Sequence, residues 1–338
     1  MSPLPRLAAY FTSGDSDQLV SSVRAAEAAG FDHAWFNDAH NLWQDCYVHM
    51  ARTLELTDRI RIGTGVTNPV TRHFSVAASG HATLNDIYPG RVVLGIGRGD
   101  GAVHPMGLKP MSTKEFTEVA PKVRALLHGE DVETGEGGHV QLTWLKEPYT
   151  PLMLAASGPR NLRIAGAVAD IVQIQVGVRP ESIAWAVGHV HQGAEEAGRD
   201  PSQIEISLLC AMWVGDDIDE CHDHTRWAAT TAANHIEVMM KGPAGKTLPE
   251  QMTRVVEAKK AHGGSHDYDS HLDSSEAHND FLTSQLIDDF AIAGDGATCR
   301  GRLEELAAIG VTEVAPGFYN GEDEQLALVG REIVEPAK

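Results

Sequence analysis

Residues 151–177 read PLMLAASGPRNLRIAGAVADIVQIQVG, two short apolar runs separated by a polar loop and an amphipathic segment. The runs 152–156 and 170–176 predict strands, and the segment 159–168 predicts the helix between them. A strand, a helix and a second strand in this order are typical of parallel strands joined by a crossover helix. This stretch therefore predicts an α/β fold with a parallel sheet.

The same alternation runs along most of the chain. Apolar runs predict further strands at 6–11, 31–36, 60–66, 91–96, 204–214 and 312–316. Helical patterns fall at 16–29, where Asp15 or Ser16 is the cap and Gly30 the stop, and at 45–57, 71–87, 112–128, 180–198 and 297–309. About eight units without a break favour a closed (β/α)8 TIM barrel, one domain over 1–338, over the alternative of a doubly wound open sheet.

Two segments interrupt this rhythm. Residues 236–285 are polar and rich in histidine, and residues 137–147 have a hairpin-like pattern. Insertions in barrel enzymes decorate the C-terminal face, where the active site lies. The longer segment is therefore either an insertion near the active-site mouth or a surface excursion without a role in the site, and the pattern leaves both open.

Bulk composition excludes several classes of protein. The 338 residues carry 47 acidic and 27 basic side chains, a net charge of −20, without the basic stripe that nucleic-acid binding needs. The acidic balance and the lack of an apolar run of about eighteen residues predict no membrane association. The four cysteines form no CxxC pair: Cys46, Cys210, Cys221 and Cys299. Together with an N-terminus that lacks a signal-peptide pattern, this predicts a cytoplasmic protein with reduced thiols.

Polar residues follow the second strand, where barrel enzymes place their chemistry. Asp38 and His40 bring a carboxylate and an imidazole to one strand end, a combination suited to acid–base chemistry. The alternative is that Asp38 caps the next helix and His40 is a surface residue. Position alone does not separate the two interpretations.

After the third strand, the glycines of GTG (63–65) leave room for a flat ring against the backbone, and Thr67 and Asn68 add polar groups. The alternative is a plain strand-to-helix turn capped by Thr71. After the fourth strand, residues 97–102 formally fit G-x-G-x-x-A, but the next helix begins only near residue 112. The nicotinamide fingerprint is therefore rejected, and only a close backbone approach to a ligand is predicted there.

The loop after the fifth strand is the best phosphate site in the sequence. Ser157 can cap the following helix, Pro159 suits its first turn, and Arg160 adds a positive charge. An ordinary capped helix is the alternative. Gln173 and Gln175, after the sixth strand, either line a ligand cavity or fill the barrel.

Motifs for other chemistries are absent or weak. Cys221, His222, Asp223 and His224 are adjacent, but they open what reads as an exposed helix. The histidines of the polar segment lack a familiar ligand spacing, so no metal site is predicted. A G-x-S-x-G elbow and a Walker loop are both missing.

Five segments together resemble the luciferase-like family of flavin and deazaflavin barrels. They are AAEAAGFDHAWFNDAH (25–40), RIRIGTGVTNPVTRH (59–73), ATLNDIYPGRVVLGIGRGDG (82–101), PLMLAASGPRNLRIAGAVADIVQIQVG (151–177) and FAIAGDGATCRGRLEELAAIGVTE (290–313). The segments GTGVTNPVTRH and NDAHN are most similar to the branch that uses coenzyme F420, which includes methylenetetrahydromethanopterin reductases. The resemblance implies F420 as cofactor, with FMN as the alternative.

The resemblance also implies roles for individual residues. It implies a cis peptide between Gly65 and Val66 that backs the ring, with Asp38 and Thr67 nearby. The phosphate loop that it implies comprises Ser157, Gly158, Pro159 and Arg160. The chain departs from the family at strand two, where relatives have His directly after Asp and this chain has Ala39, followed by His40.

The first hypothesis is hydride transfer between the deazaflavin and a small organic substrate. His40 would exchange a proton with the substrate, and Asp38 would orient either His40 or the deazaflavin ring. Trp43 would form a wall of the pocket, while Arg98 and Arg160 would offset the charge of the cofactor. Other predicted cofactor contacts are Asn68, Gly97 and Gln175. The alternatives are a two-component FMN monooxygenase served by a flavin reductase, and a non-catalytic flavin-binding protein. The family leads us to expect a homodimer.

Overall fold

The computed structural model describes residues 4–12, 14–135, 137–146, 149–262, 281–318 and 322–337. Eleven strands lie in these ranges: β1 Arg6–Phe11, β2 His33–Phe36, β3 Arg61–Thr64, β4 Val92–Ile96, β5 Val132–Gly135, β6 Gly138–Val140, β7 Leu152–Ala156, β8 Ile171–Ile174, β9 Glu205–Val214, β10 Ala291–Gly294 and β11 Glu313–Pro316. Eight of them form a closed parallel barrel in the order β1, β2, β3, β4, β7, β8, β9, β11 and back to β1. The predicted TIM barrel is confirmed, and the open sheet is excluded.

The remaining three strands lie outside this circle. β10 pairs with the distal half of β9, from Ala211 to Val214, and β5 and β6 form a separate antiparallel hairpin. The hairpin thus occupies residues 132–140, whereas the sequence pattern had placed it at 137–147. The turn between its strands contains Gly135 and Gly137, both with positive φ, a conformation open to glycine at little cost.

Twelve α-helices connect and cover the strands of the described chain: α1 Ser16–Ala29, α2 Cys46–Glu55, α3 Phe74–Ile87, α4 Thr113–Leu127, α5 Pro159–Val168, α6 Pro180–Glu196, α7 Ile218–Thr225, α8 Trp227–Met240, α9 Glu250–His262, α10 Ser284–Asp288, α11 Gly296–Ala308 and α12 Asp323–Val329. The side chain of Asp15 caps α1 by accepting from the N–H groups of Asp17 and Gln18 (3.1 and 2.9 Å). Gly30 ends this helix with φ of 96°. Within the described ranges, no helix combines the length and the apolar character needed to cross a bilayer.

Two apolar cores hold the barrel together. The larger lies between the strands and the surrounding helices, and the smaller fills the barrel itself. The inner core consists of Ala8, Tyr10, Trp35, Val93, Met153, Ile171 and Ala315. Two of its aromatic side chains fill space left by glycines. A methyl group at Gly63, on β3, would lie 2.5 Å from the Trp35 ring. A methyl group at Gly65, just after β3, would lie 2.3 Å from the Tyr10 hydroxyl.

The segment between β9 and β10 carries the predicted insertion. Three helices, α7 to α9, follow β9, and the predicted start at residue 236 lies within α8. The His-rich part of the predicted insertion, at 263–280, lies outside the described residues. The helical character of α8 escaped the sequence analysis because seven consecutive residues, 227–233, are buried, so its sequence shows no apolar face with helical spacing.

Candidate active site

A bulge in the third strand shapes the C-terminal rim of the barrel. Gly63 pairs with Val93, and the next bridge joins Thr67 to Ile96, so β3 advances four residues while β4 advances three. The extra residue lies at Gly65–Val66, where the peptide is cis, as the resemblance implied. The hydroxyl of Thr64 spans the gap by donating to the Gly95 carbonyl (2.6 Å) and accepting from the Gly95 N–H (3.1 Å).

Asp38 is buried beside this bulge and is held by two partners. Thr67 Oγ1 donates to Asp38 Oδ2 (2.6 Å), and Arg72 donates through Nε to Oδ2 (2.8 Å) and through Nη2 to Oδ1 (3.3 Å). The carboxylate therefore joins the loop after β2 to the loop after β3. The thiol of Cys46 also interacts with this carboxylate. The sequence hypothesis had instead paired Asp38 with His40.

Arg72 completes a small charged cluster on the rim. It also donates to Asp45 Oδ2 (2.5 Å), and its guanidinium lies 4.2 Å from the centre of the Tyr47 ring. Burial opposes ionisation of Arg72, but the contacts with both aspartates outweigh it and raise the pKa of Arg72. Burial likewise opposes ionisation of Asp45, while Arg72 and the N–H groups of α2 lower its pKa. Sequence reasoning did not single out Arg72, although it lies in the GTGVTNPVTRH segment.

The turn after Asp38 places the next residues differently. Ala39 is buried at 8% exposure, whereas His40 is exposed and Trp43 is half-buried. The N–H groups of Leu42 and Trp43 both donate to the Ala39 carbonyl (2.9 and 3.0 Å), which closes a single helical turn. The position that follows Asp38 directly thus holds a methyl group, and the imidazole of His40 lies on the solvent side of the turn. Its predicted proton role stays a prediction.

The glycine-rich rim serves the packing of the barrel. The Cβ directions of Gly63 and Gly65 point at Trp35 and Tyr10, so these glycines make room for two side chains of the inner core. The predicted contact of this backbone with a flat ring stays a prediction. Gly97 likewise faces Val66, because a methyl group on it would lie 2.8 Å from Val66 Cγ2.

The polar residues of the same rim bond to neighbouring backbone. Asn68 Oδ1 accepts from the N–H groups of Val70 and Thr71 (3.1 and 2.9 Å), and Arg98 Nε donates to the Met111 carbonyl (2.5 Å). These bonds hold Asn68 and Arg98 in fixed positions at the ends of β3 and β4.

The loop after β7 has the predicted form with one correction. The N-cap of α5 is Gly158, and no side chain accepts a hydrogen bond from the first turn, so Ser157 is not the cap. Pro159 occupies the first helical position as predicted. The first-turn N–H groups are thus free of a side-chain acceptor, which favours an anion there, and Arg160 stands exposed beside them.

Helix α8 lies across the mouth of the barrel. Trp227, at the start of α8, lies beside Gly317, which follows β11: a methyl group on Gly317 would lie 2.9 Å from its ring. Met239, near the end of α8, lies beside Gly158, which follows β7: a methyl group on Gly158 would lie 3.5 Å from its sulfur. A small cavity of about 10 Å³ beneath the helix is lined by Gln175, Gly177, Leu209, Cys210, Trp227, Ala228, Ala232 and Phe290. Gln175 therefore lines this cavity, and its predicted contact with the cofactor stays a prediction. Gln173 lies deeper and accepts a hydrogen bond from Tyr10 (3.0 Å).

A second group of titratable side chains meets at the mouth. His235 of α8 reaches Asp100 at the end of β4 (Nε2 to Oδ2, 3.5 Å), and His104 approaches the other oxygen (Nε2 to Oδ1, 3.2 Å). All three side chains are between 35% and 40% exposed, so they are open to solvent and to a ligand. We call this group the mouth cluster. Sequence reasoning missed it because no local spacing links His235 to a residue 135 positions earlier.

A buried ion pair lies deeper in the barrel, on the side away from the mouth. His33 Nδ1 contacts Glu313 Oε2, and Glu313 Oε1 accepts from Ser207 Oγ (2.7 Å) and Trp35 Nε1 (3.2 Å). Burial disfavours the ionised form of Glu313, but His33 and Ser207 more than compensate and lower the pKa of Glu313 to about 2. This arrangement stabilises the barrel and does not reach the rim.

The closed barrel, with its strand bulge and uncapped helix at the C-terminal rim, has the architecture of the (β/α)8-barrel enzymes, whose active sites lie at that face. Residues 4–313 match the family model described as luciferase-like monooxygenase. The chain belongs to this family and is an oxidoreductase of the luciferase-like class.

Individual relatives cover most of the chain. The 5,10-methylenetetrahydromethanopterin reductase of Methanolobus tindarius is 30% identical over 94% of this chain and 95% of its own length. The F420-dependent glucose-6-phosphate dehydrogenase of Beutenbergia cavernae is 36% identical over 67% of this chain and 73% of its own. Among solved structures, the coenzyme F420-dependent tetrahydromethanopterin reductase of Methanopyrus kandleri shares the fold, with a TM-score of 0.73, 23% identity and complete coverage of both chains.

Proposed function

We propose that this chain binds coenzyme F420 at the C-terminal rim and transfers a hydride between the deazaflavin and a small organic substrate. The observation that carries the proposal is the juxtaposition of the Gly65–Val66 bulge with the Thr67, Asp38 and Arg72 cluster on that rim. It occurs in a chain whose long matches include relatives named as F420-dependent enzymes.

The residues present fit such a cofactor at both of its ends. At the phosphate end, the first turn of α5 has no side-chain acceptor, and Arg160 is exposed next to it. At the ring end, Val66 and Thr67 form the rim, and the Asp38 and Arg72 ion pair fixes their backbone. When bound, F420 supplies a two-electron hydride carrier.

The residues of the chain then position the substrate and move its proton. In this proposal Trp43 forms one wall of the substrate pocket. α8 covers the mouth, with Gln175 beneath it. His40 stays our first candidate for the proton, and the mouth cluster is the second, because Asp100 and His235 are within ion-pair distance of each other and open to a ligand. A carboxylate beside an imidazole suits proton exchange near neutral pH.

Titration of the purified protein with F420 and with FMN, followed by fluorescence quenching, tests the proposal. We expect F420 to bind and the Arg160→Glu variant to weaken it, while Arg24→Glu, which reverses an exposed arginine on α1, has no effect. Binding of FMN alone would replace the proposal by a flavin monooxygenase, and binding of neither would overturn both.

A further inference from the structure

A groove of about 260 Å³ opens between the N-terminal halves of α4 and α5, on the outside of the barrel. It is lined by Thr113, Lys114, Thr117, Arg160, Arg163 and Ile164. Three of these six side chains are cationic, and none is acidic. A concentration of positive charge of this kind is notable in a chain with a net charge of −20. We call Lys114, Arg160, Arg163 and the space between them the basic groove.

Among the described residues, Lys114, Arg160 and Arg163 take part in none of the ion pairs with carboxylates. Hydrogen bonding with Ser112 and, more weakly, the charge of Lys114 lower the pKa of the neighbouring Glu115. Glu115, next to Lys114 on α4, turns back to accept from the Ser112 N–H (2.9 Å) as part of the capping box. On the other side, His189 of α6 senses the charge of Arg163, because burial and then that positive charge lower the pKa of His189. The groove therefore presents an attractive field to an anion.

The walls of the groove are rigid. α5 packs so closely on α6 that a methyl group at Gly193 would lie 2.5 Å from the Cα of Arg163. On the facing wall, the capping box fixes the first turn of α4, which carries Lys114. Because both helices are held in this way, the three cations converge on one space without a rearrangement of the backbone.

The groove also continues from the predicted phosphate site. Arg160 belongs to both, since it lies at the second position of α5, directly after Gly158 and Pro159, and Arg163 follows one turn later. A ligand whose phosphate lies at the start of α5, and which extends beyond that phosphate, would run into the groove. FMN ends at its phosphate, whereas the phosphate of F420 is a diester that continues into a chain of carboxylates.

We propose that the basic groove binds a polycarboxylate chain attached to the phosphate of the bound cofactor, which is the oligoglutamyl tail of F420. The inference rests on the proposed function, because it requires that F420 is the cofactor. Lys114 and Arg163 form ion pairs with the tail, and Arg160 is shared between the tail and the phosphate. The groove thereby selects F420 over FMN without contacting either ring.

The test compares two ligands of the same chromophore. F420 with five or six glutamates carries the tail, and its precursor F0 lacks both phosphate and tail. Dissociation constants are measured by fluorescence quenching for the wild type and the double variant Lys114→Gln/Arg163→Gln. In the double variant we expect the Kd of F420 to rise about tenfold and the Kd of F0 to stay unchanged. A tenfold rise is what the loss of two partly exposed ion pairs would produce.

A matched control removes two cations outside the groove, with Lys122→Gln on α4 and Arg24→Gln on α1, and should leave both constants unchanged. The wild type should also show a steeper salt dependence for F420 than the groove variant, because salt screens the lost pairs. If F0 and F420 both bind but the groove variant weakens neither, or weakens both equally, the groove inference is wrong and the proposed function stands. If neither ligand binds the wild type, the proposed function fails, and the inference fails with it.

Discussion

Arg72 donates hydrogen bonds to both carboxylate oxygens of Asp38, a residue 34 positions earlier in the chain. Because Thr67 bonds to the same carboxylate, one buried charge fixes two rim loops and the end of the strand bulge. The shape of the rim is thus stabilised by an ion pair between residues distant in sequence, and not by a local turn or helix cap. This relationship leads to the first prediction.

Replacing Arg72 by Gln should leave the Asp38 carboxylate buried without its cationic partner, while the hydrogen bond from Thr67 remains. We expect a loss of roughly 1–3 kcal/mol in the free energy of unfolding and a weaker affinity for F420. Arg72→Lys should restore only part of both, since an ammonium group does not reproduce the two-pronged contact. Urea denaturation and fluorescence titration provide the two measurements, and Arg52→Gln, which removes an exposed surface pair, is the control. Equal effects of Arg72→Gln and Arg52→Gln would contradict this account.

The mouth cluster makes a prediction about proton transfer. With any substrate that supports turnover, Asp100→Asn or His235→Ala should reduce kcat by about 10²-fold or more if this cluster exchanges the proton, and should change the pH profile. His40→Ala then serves as the comparison, because it removes the other candidate without touching the cluster. A large loss in His40→Ala with near-normal rates in both cluster variants would assign the proton to His40.

The buried Glu313 makes a prediction about stability. Since its pKa is lowered to about 2 in the folded protein, from roughly 4.3 in an unfolded chain, its contribution is complete above about pH 4.5 and disappears as the pH falls towards 2. Glu313→Gln removes the partner of buried His33 and should cost about 3–5 kcal/mol at pH 7. Denaturant unfolding measures this cost. The exposed Glu304→Gln on α11 should change the free energy of unfolding by less than about 0.5 kcal/mol.

His81 makes a separate prediction about pH. Its ring is buried between the Ala77 carbonyl (Nδ1 to O, 3.0 Å) and Thr64 Oγ1 (Nε2 to Oγ1, 3.1 Å), and burial lowers the pKa of His81 to about 4. An unfolded chain titrates near 6.5, so protonation favours the unfolded state as the pH falls from about 6.5 towards 4, at a cost of roughly 3 kcal/mol.

Unfolding free energies measured between pH 4.5 and 7.5 should therefore fall steeply towards acid in the wild type and less steeply in His81→Gln. The exposed His40→Gln should keep the wild-type slope. An identical slope in all three proteins would show that His81 is not the responsible group.

Much of the fold was predictable because its signals are local. The bounds of α5 and β7 match the predicted ranges, since proline marks the start of the helix and an apolar run marks the strand. The positions of the rim loops follow from the same alternation, and these include the loop between β7 and α5.

The parts that sequence missed depend on contacts between distant residues. The ion pair of Arg72 with Asp38, and that of His235 with Asp100, leave no periodic trace in the chain. The cap of α5 was misassigned because Ser157 and Gly158 both suit that position, and only backbone geometry decides between them. The contact between Gly63 and Trp35 was not predictable for a similar reason, because the sequence does not reveal which side chain fills the space beside a glycine.

The contact between Gly63 and Trp35 also bears on how this barrel can change in evolution. Any side chain at 63 would collide with the indole, and a smaller residue at 35 would open a void between two strands. The two positions are therefore expected to covary: descendants that acquire bulk at 63 should first, or simultaneously, lose it at 35. The barrel interior would then diverge by paired substitutions, while exposed positions of α1, such as Gln18 and Arg24, can change one at a time.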